Sequence, residues 1–294
     1  MVVKVVTDST SDILTEVAQE LGIAVVPLYI HFGKEVYQDG VDLSIDEFFH
    51  KLVTEPMLPK TSAPSAGTFT EMYERLAAET DEIISIHIST KLSATYNAAL
   101  LGKGGMKAPC RVEVVDSLSA SIGLGLLGIS AAKAALAGAN LDKITAMIHQ
   151  AIPRTHYFGM VDTLDYLYKG GRIGKAQAFL GSMLNIKPLL TLRDGEAYPL
   201  ERVRGRTKAL ARLCELVEKF HHIKEMALAH TTTPEELEAL AVRLSPLFPP
   251  DQLYKSRCGA TMGTYLGPGA LTVAVIEDET QSQPDGLMER GDIG

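Results

Sequence analysis

The stretch VVKVVTDSTSD, Val2–Asp12, decides how this chain is read. An apolar β-branched run, Val2–Val6, empties into a burst of hydroxyls and carboxylates, Thr7–Asp12. The pattern returns twice: Ile83–Ile88 runs into STKLSATYN (Ser89–Asn97), and Val112–Val115 runs into Asp116 and Ser117. Short β-branched runs that end in turn residues and lead into helical patterns predict buried strands of a parallel sheet. In such sheets ligands sit beyond the carboxyl ends of the strands. The groups gathered there are neutral hydroxyls and helix amino-termini, suited to an anion or carboxylate, with no evident strong base among them.

Outward from this stretch, strand and helix alternate through the first half. Ile13, Leu14, Val17, Ala18 and Leu21 share one helical face, with Asp12 placed as the N-cap. Ala24–Ile30 reads as a second apolar strand, followed by a polar excursion with turns at Gly33 and Asp39–Gly40. Ser44 and Glu47 form a capping box for a helix over Ser44–Thr54. Glu55–Pro64 holds three prolines and delivers KTSAPS (Lys60–Ser65) to a helix over Gly67–Ala78. A long Ala/Gly/Leu helix follows from about Ser119 to Ala137.

Near Pro153 the pattern changes. Leu164–Tyr168 leads into KGGRIGK (Lys169–Lys175) and an apolar helix expected to reach Leu184. Asp194-Gly195 between Pro188–Leu192 and Ala197–Val203 predicts a hairpin, because Asp-Gly tolerates the positive φ angles of a two-residue turn. At 294 residues the chain exceeds what one core usually covers. The expected architecture is α/β in two domains: a doubly wound parallel-sheet domain over 1–153 with the carboxylate-binding loops, and an α+β domain with a mixed sheet over 154–277. Residues 278–294 read as a polar tail.

The formal charge of −8 gives no electrostatic reason for nucleic acid or an anionic membrane as partner. No apolar run approaches the roughly 18 residues of a membrane span, so no stable membrane insertion is expected. Three scattered cysteines without CxxC spacing fit a reducing, cytoplasmic setting rather than a disulfide framework or a zinc ribbon. The histidines lack metal-ligand spacing, and no metal or other cofactor is expected. Gly123-Leu-Gly125-Leu-Leu-Gly128 satisfies GxGxxG but falls within the long helix, where small residues serve close packing rather than a dinucleotide. Gly174-Lys175 is followed by Ala176, so no P-loop is present.

Thr61, Ser62, Ser65, Ser89, Thr90 and Ser93 have two readings: caps of helix starts, as Ser65 and Thr90 suggest, or hydroxyls of an anion site. KGGR (Lys169–Arg172) is either a helix C-cap with exposed cations or an anion contact. Arg202, Arg204 and Arg206, with Lys208, share one face if a strand extends that far, as a docking surface would require.

These motifs in this order resemble the DegV family of fatty-acid-binding proteins, the acyl-carrying subunits of bacterial fatty acid kinase. The resemblance covers about residues 2–276 and includes TDSTSD at Thr7, KTSAPS at Lys60, LSATYN at Leu92 and VDS at Val115. It continues through KGGRI at Lys169, NIKPLL at Asn185, RTKA at Arg206 and GPGAL at Gly267. It implies two α/β domains with a lipid tunnel, and a long-chain fatty acid as ligand. Thr61 and Ser93 would hydrogen-bond the carboxylate, with Ser62 beside them. It also implies a separate ATP-dependent fatty acid kinase as partner, with Arg172, Arg202, Arg204 and Arg206 as docking candidates and no catalysis by this chain. The family often carries a histidine just before GPGA. Tyr265 stands in that place here, able to donate a hydrogen bond but not to act as a cation at neutral pH. The alternatives are a hydrolase or transferase of acyl substrates, with Ser93 as nucleophile and His87 or Asp8 as base, or a binder of another small carboxylate or phosphate.

Overall fold

The computed structural model describes residues 2–181 and 185–278. In chain order the first half runs β1 (Lys4–Asp8), α1 (Thr15–Glu20), β2 (Ile23–Val26), β3 (Tyr29–Phe32), β4 (Glu35–Gln38), α2 (Ile45–Thr54), β5 (Lys60–Ser62), α3 (Ala66–Ala77), β6 (Glu82–His87), α4 (Thr95–Gly104), β7 (Arg111–Asp116), α5 (Ser121–Leu136) and α6 (Leu141–Ala151). The second half runs β8 (Thr155–Met160), α7 (Asp165–Lys169), β9 (Ile186–Arg193), β10 (Glu196–Arg204), α8 (Arg206–Val217), β11 (Ile223–His230), α9 (Pro234–Leu244), β12 (Tyr254–Arg257), α10 (Ala260–Leu266) and β13 (Leu271–Glu277).

The repeated strand-then-hydroxyl stretches form three adjacent strands, β1, β6 and β7, of a four-stranded sheet in the order β2-β1-β6-β7, parallel throughout. The chain builds outward from β1 to β2, then returns to lay β6 on the other side of β1. The strand order therefore reverses between β1 and β6, and a crevice opens at their carboxyl ends. The second half forms a six-stranded mixed sheet, β10-β9-β8-β13-β11-β12, antiparallel except for the β11–β12 pair. Asp194 (φ 51°) and Gly195 (φ 81°) make the β9–β10 turn with both central residues at positive φ, as the Asp-Gly signal predicts.

The two sheets share a core. Helix α5 is apolar almost all round, as a helix without a water-facing side should be. It packs on β1 and β6 from one side and on β11 and β13 from the other. Val5, Ile84 and Ile86 of the parallel sheet thus belong to one continuous apolar cluster with Ala227, Ala274 and Ile276 of the mixed sheet. The glycines of the GxGxxG match are inside α5, where a Cβ on Gly125 would come within 2.5 Å of the Ser11 carbonyl oxygen. They allow helix and β1 loop to touch.

Several local expectations are corrected. Asp12 does not cap α1, whose N-cap is Leu14. It lies at positive φ (51°) after a short 3-10 turn, with its carboxyl buried. Pro27 cannot donate to a ladder, and the apolar run over 24–30 splits around it into β2 and β3. The polar excursion becomes a small antiparallel sheet, β4-β3-β5, which places Thr61 and Ser62 on a strand rather than in a loop. Thr90 caps no helix: its backbone and hydroxyl both donate to Asp116. Past Arg172 the chain forms a 3-10 turn, Gly174–Phe179, instead of an apolar α-helix. Arg206 leaves the face shared by Arg202 and Arg204, because the strand stops at Arg204 and Gly205 (φ 88°) turns the chain into α8. Of the polar tail, 279–294 lies outside the described residues.

Candidate functional site

At the reversal point between β1 and β6 lies a cavity of about 220 Å³, room on the order of fifteen to twenty waters by the same measure. Leu28, Ile88, Leu92 and Ala120 line it from the loops of the parallel sheet. From the mixed sheet come Tyr157, Gly159 and Val161, spaced by two so that they share one face of β8 and its end. Phe158 and Met160 point the other way, into a separate core. Leu190 and Leu192 of β9 and Met262 and Leu266 of α10 complete the apolar wall. Burial pushes the Tyr157 hydroxyl well above its usual range, so it stays protonated.

Beside Thr10, Ser62, Tyr157, Thr191 and Thr261, which also border the cavity, Thr61, Ser93, Tyr265 and Arg172 bring polar groups to it from four distant stretches of sequence. Thr61 sits on β5, held by pairing with Ile30 of β3. Its Oγ1 meets the Tyr265 hydroxyl of α10 at 2.5 Å. Ser93 follows β6 in a turn fixed by the Ser93 N–H donating to the Ser89 carbonyl at 3.1 Å. Its hydroxyl pairs with Thr95 Oγ1 at 2.8 Å, at the mouth of α4. Gly170 makes room for Tyr265, since a Cβ there would lie 2.6 Å from the ring.

Arg172 is the fourth, and its placement follows from the glycine pair before it. Helix α7 ends with Gly171 at φ 69°. The Gly171 N–H donates to the Tyr168 carbonyl and the Arg172 N–H to the Leu167 carbonyl, at 3.0 and 2.9 Å. That two-bond helix stop is the Schellman arrangement. It aims Arg172 back at the cavity, where Nε donates to the Leu92 carbonyl (3.1 Å) and Nη1 to the Gly170 carbonyl (2.9 Å). The guanidinium lies 5.2 Å from the Tyr265 ring centroid, a cation–π distance. Nη2 has no protein hydrogen bond among the described residues. Among the described residues Arg172 is the one charged side chain lining the cavity. The C-cap reading of KGGR describes this turn, and Arg172 lines the cavity rather than an outer docking face.

The remaining expected residues are elsewhere. Ser62 borders the cavity, but it is exposed and its hydroxyl pairs with His31 Nε2 at 2.9 Å. Arg202 covers Phe179 and donates to the Ala178 carbonyl at 2.8 Å. Arg204 is exposed on the outer face of β10. Arg206 is engaged internally, with Asp162 at 2.5 Å, with Glu236 and with the Gly269 carbonyl.

The proposed bases for Ser93 are committed to other partners. His87 Nδ1 bonds Asp8 Oδ2 at 2.9 Å and Nε2 bonds Ser85 Oγ at 2.7 Å, with all three residues fully buried. The order Asp-His-Ser resembles a hydrolytic triad, which is recognised by geometry and roles. Here Ser85 also accepts from the Tyr73 hydroxyl at 2.8 Å, and none of the three lines the cavity. Among the described residues Ser93 has no hydrogen bond to His87, Asp8 or another general base; its hydroxyl pairs with Thr95.

The family model of DegV, a family described as uncharacterised, matches residues 2–278. The chain belongs to the DegV family. A DegV domain-containing protein of Deinococcus radiodurans is 39% identical over 282 residues, covering 94% of this chain and 98% of its own. Among solved structures, a fatty-acid-binding DegV family protein from Thermus thermophilus superposes with a TM-score of 0.87 at 33% identity, covering 95% of this chain and all of its own. DegV of Bacillus subtilis, a fatty acid binding protein, superposes with a TM-score of 0.85 at 31% identity and the same coverage. The α/β architecture of this DegV protein is the one those relatives share. Among its described residues no helix is long and apolar enough to cross a membrane, and no cluster of His, Cys, Asp and Glu is placed to hold a metal ion.

Proposed function

We propose that this DegV protein carries a long-chain fatty acid, with the acyl chain in the apolar cavity and the carboxylate among Thr61, Ser93, Tyr265 and Arg172. The observation that carries the reading is the composition of that cavity: an aliphatic wall meeting hydroxyls and a single guanidinium. Aliphatic surface stabilises an acyl chain by roughly 25 cal/mol per Å² removed from water. A carboxylate entering the same space needs hydrogen bonds and a countercharge to offset its desolvation. The fatty-acid-binding relatives from Thermus thermophilus and Bacillus subtilis support the assignment.

Arg172 suits a ligand that must be both held and released to chemistry. Two of its nitrogens are committed to the Leu92 and Gly170 carbonyls. With Nε–H and one Nη1–H engaged, the remaining N–H groups and the positive field are open to a carboxylate, but the side-on clamp through Nε and Nη2 is not. A clamp that held the ground state more tightly would slow any later reaction of the carboxylate. The reading extends to a partner: a separate ATP-dependent kinase that phosphorylates the presented carboxylate, which fits a sequence without a P-loop motif and a Ser93 without a base beside it among the described residues. Arg202 and Arg204, outside the cavity, are the docking candidates.

Mass spectrometry of lipid extracted from the denatured, freshly purified protein tests the carrier reading. A long-chain fatty acid near one equivalent is expected, and its mass reports the preferred chain. An empty extract followed by no uptake of added fatty acid overturns the reading.

A further inference from the structure

Helix α10 brings Thr261, Met262, Tyr265 and Leu266 to the cavity, yet it has seven residues and no side-chain cap of its own. A free helix start leaves backbone N–H groups without partners, and these are buried, with Ala260 1% and Thr261 2% exposed. Their acceptor comes from the other half of the chain. The Asp39 carboxylate takes Ala260 N–H on Oδ1 at 2.9 Å and Thr261 N–H on Oδ2 at 3.2 Å. Asp12 Oδ1 takes the preceding Gly259 N–H at 2.8 Å, and its Oδ2 takes the Ser121 hydroxyl at 2.5 Å. Gly259 is the residue that permits this convergence: a Cβ would lie 3.2 and 3.4 Å from the two Asp39 oxygens and 3.5 Å from Asp12 Oδ1.

The far end of the same helix carries Tyr265. At 1.5 Å per residue, Ala260 and Tyr265 are about 7.5 Å apart along the axis, so a shift of the first turn is transmitted to the hydroxyl. Midway, Gly263 rests on the aromatic rings of α2, a Cβ there coming within 2.6 Å of Phe48 and 2.9 Å of Phe49. On this rod, fastened at its start by two carboxyl groups and resting on aromatic rings, the Tyr265 hydroxyl reaches Thr61. We infer that Asp39, assisted by Asp12, is a positioning residue for the lipid carboxylate site, setting Tyr265 against Thr61 by holding the first turn of α10. The inference rests on the carrier reading above and adds a residue to it that touches no ligand.

The experiment is a double-mutant cycle on the full chain, read by binding of cis-parinaric acid, a fluorescent long-chain fatty acid, alongside thermal melts. Asp39→Ala is expected to weaken binding on the order of tenfold, and Asp39→Asn, which keeps one carbonyl oxygen as acceptor, to weaken it less. In a Tyr265→Phe background Asp39→Ala should add less than twofold, because residues acting through one contact are not additive. A melt shift alone would accompany any loss of a cap, whereas this non-additivity marks action through Tyr265. If Asp39→Ala does not fold, the same cycle with Asp39→Asn gives the answer. Full additivity with Tyr265→Phe, or unchanged affinity in both Asp39 variants while Thr61→Ala binds weakly, overturns the inference and leaves the carrier reading standing. A wild-type protein that takes up no parinaric acid overturns the carrier reading, and this one with it.

Discussion

Two polar clusters border the reversal point of the parallel sheet, and they differ in how fully their hydrogen bonds are used. In the first, Tyr73, Ser85, His87, Asp8 and Thr10 form an unbroken chain, each residue fully buried. The Asp8 carboxylate there accepts from His87, from the Thr10 backbone and hydroxyl, and from the Ile88 N–H. In the second, Thr61, Ser93, Tyr265 and Arg172 are part-buried around a cavity, and the guanidinium has a nitrogen to spare. A polar network whose members satisfy one another rigidifies a core. One that converges on empty space while retaining capacity has the form of a binding site. Residue type does not separate the two, since both contain hydroxyls and a potential cation.

The sharpest way to break this comparison is to remove Asp8 or His87. Asp8→Ala leaves His87, Thr10 and the Ile88 N–H without their acceptor, and loss of one partner of a buried pair costs about 3–5 kcal/mol. His87→Ala should fall at the lower end, because Asp8 keeps the Thr10 and Ile88 donors. Urea midpoints with an unchanged m-value measure both, and fatty acid affinity per folded molecule should stay within about twofold. Normal stability with lost binding would move the buried chain into the site.

A second prediction concerns the carboxyl that fastens α10. Burial, with the Asp39 charge nearby, raises Asp12 from an ordinary carboxylate value to about 8, against the hydrogen bonds from Ser121 and Gly259. Cys258 and Tyr157 face the same carboxyl, and burial pushes both well upward, so they remain neutral there. The native state therefore keeps a proton that the unfolded chain has released between about pH 4 and pH 8. Native binding of the extra proton makes stability fall as pH rises through that window, and the Asp12 contribution ends above it. One proton corresponds to a slope of at most about 1.4 kcal/mol per pH unit. His230, lowered mainly by burial, gives the opposite slope below pH 6.5, and unfolded thiols begin to ionise near pH 8, so the clean window is about pH 6.5–8. Across it the wild-type denaturation midpoint should decline, and above it the fall continues as unfolded thiols ionise while the native cysteines, raised by burial, stay protonated. Asp12→Asn, a residue that tolerates the positive φ at this position, should remove the slope. An unchanged slope in the variant would assign the titration to another group.

The parts of this arrangement were unequally legible in the sequence. The parallel sheet could be read because β-branched runs and the hydroxyl bursts after them are local patterns, and so could the Asp-Gly hairpin. Thr61 and Ser93 came from the resemblance, because their hydroxyls alone fit capping equally well. Arg172 was visible as a cation after a glycine pair. Its direction was not, because that depends on the Leu92 carbonyl 80 residues earlier. A carboxylate before an apolar helical pattern is what an N-cap looks like, so local pattern points Asp12 to α1. Its actual partners, Ser121 and Gly259, are 109 and 247 residues away. Asp39 gave no signal beyond its turn, for the same reason. Patterning over a few residues specifies elements, whereas the site is assembled from contacts between their ends.

The smallest effect on the fold, and the most direct on function, is expected from the hydroxyls of the open cluster. Thr61→Ala removes the partner of Tyr265, and Ser93→Ala removes the partner of Thr95. Each was a hydrogen bond at a part-buried position, so folding stability should change by no more than about 1 kcal/mol. A hydrogen bond to a charged carboxylate is worth about 1.5–3 kcal/mol, which corresponds to roughly 10- to 150-fold in affinity. Titration with a fluorescent fatty acid, beside urea melts of the same samples, separates the two quantities. The expected result inverts that of the buried cluster: near-normal melts and weak binding, against poor melts and near-normal binding per folded molecule. If both single variants and the double variant bind as tightly as wild type, the carboxylate does not lie against Thr61 and Ser93. The open cluster would then be a structural network like its neighbour, and its unused capacity would no longer mark a site.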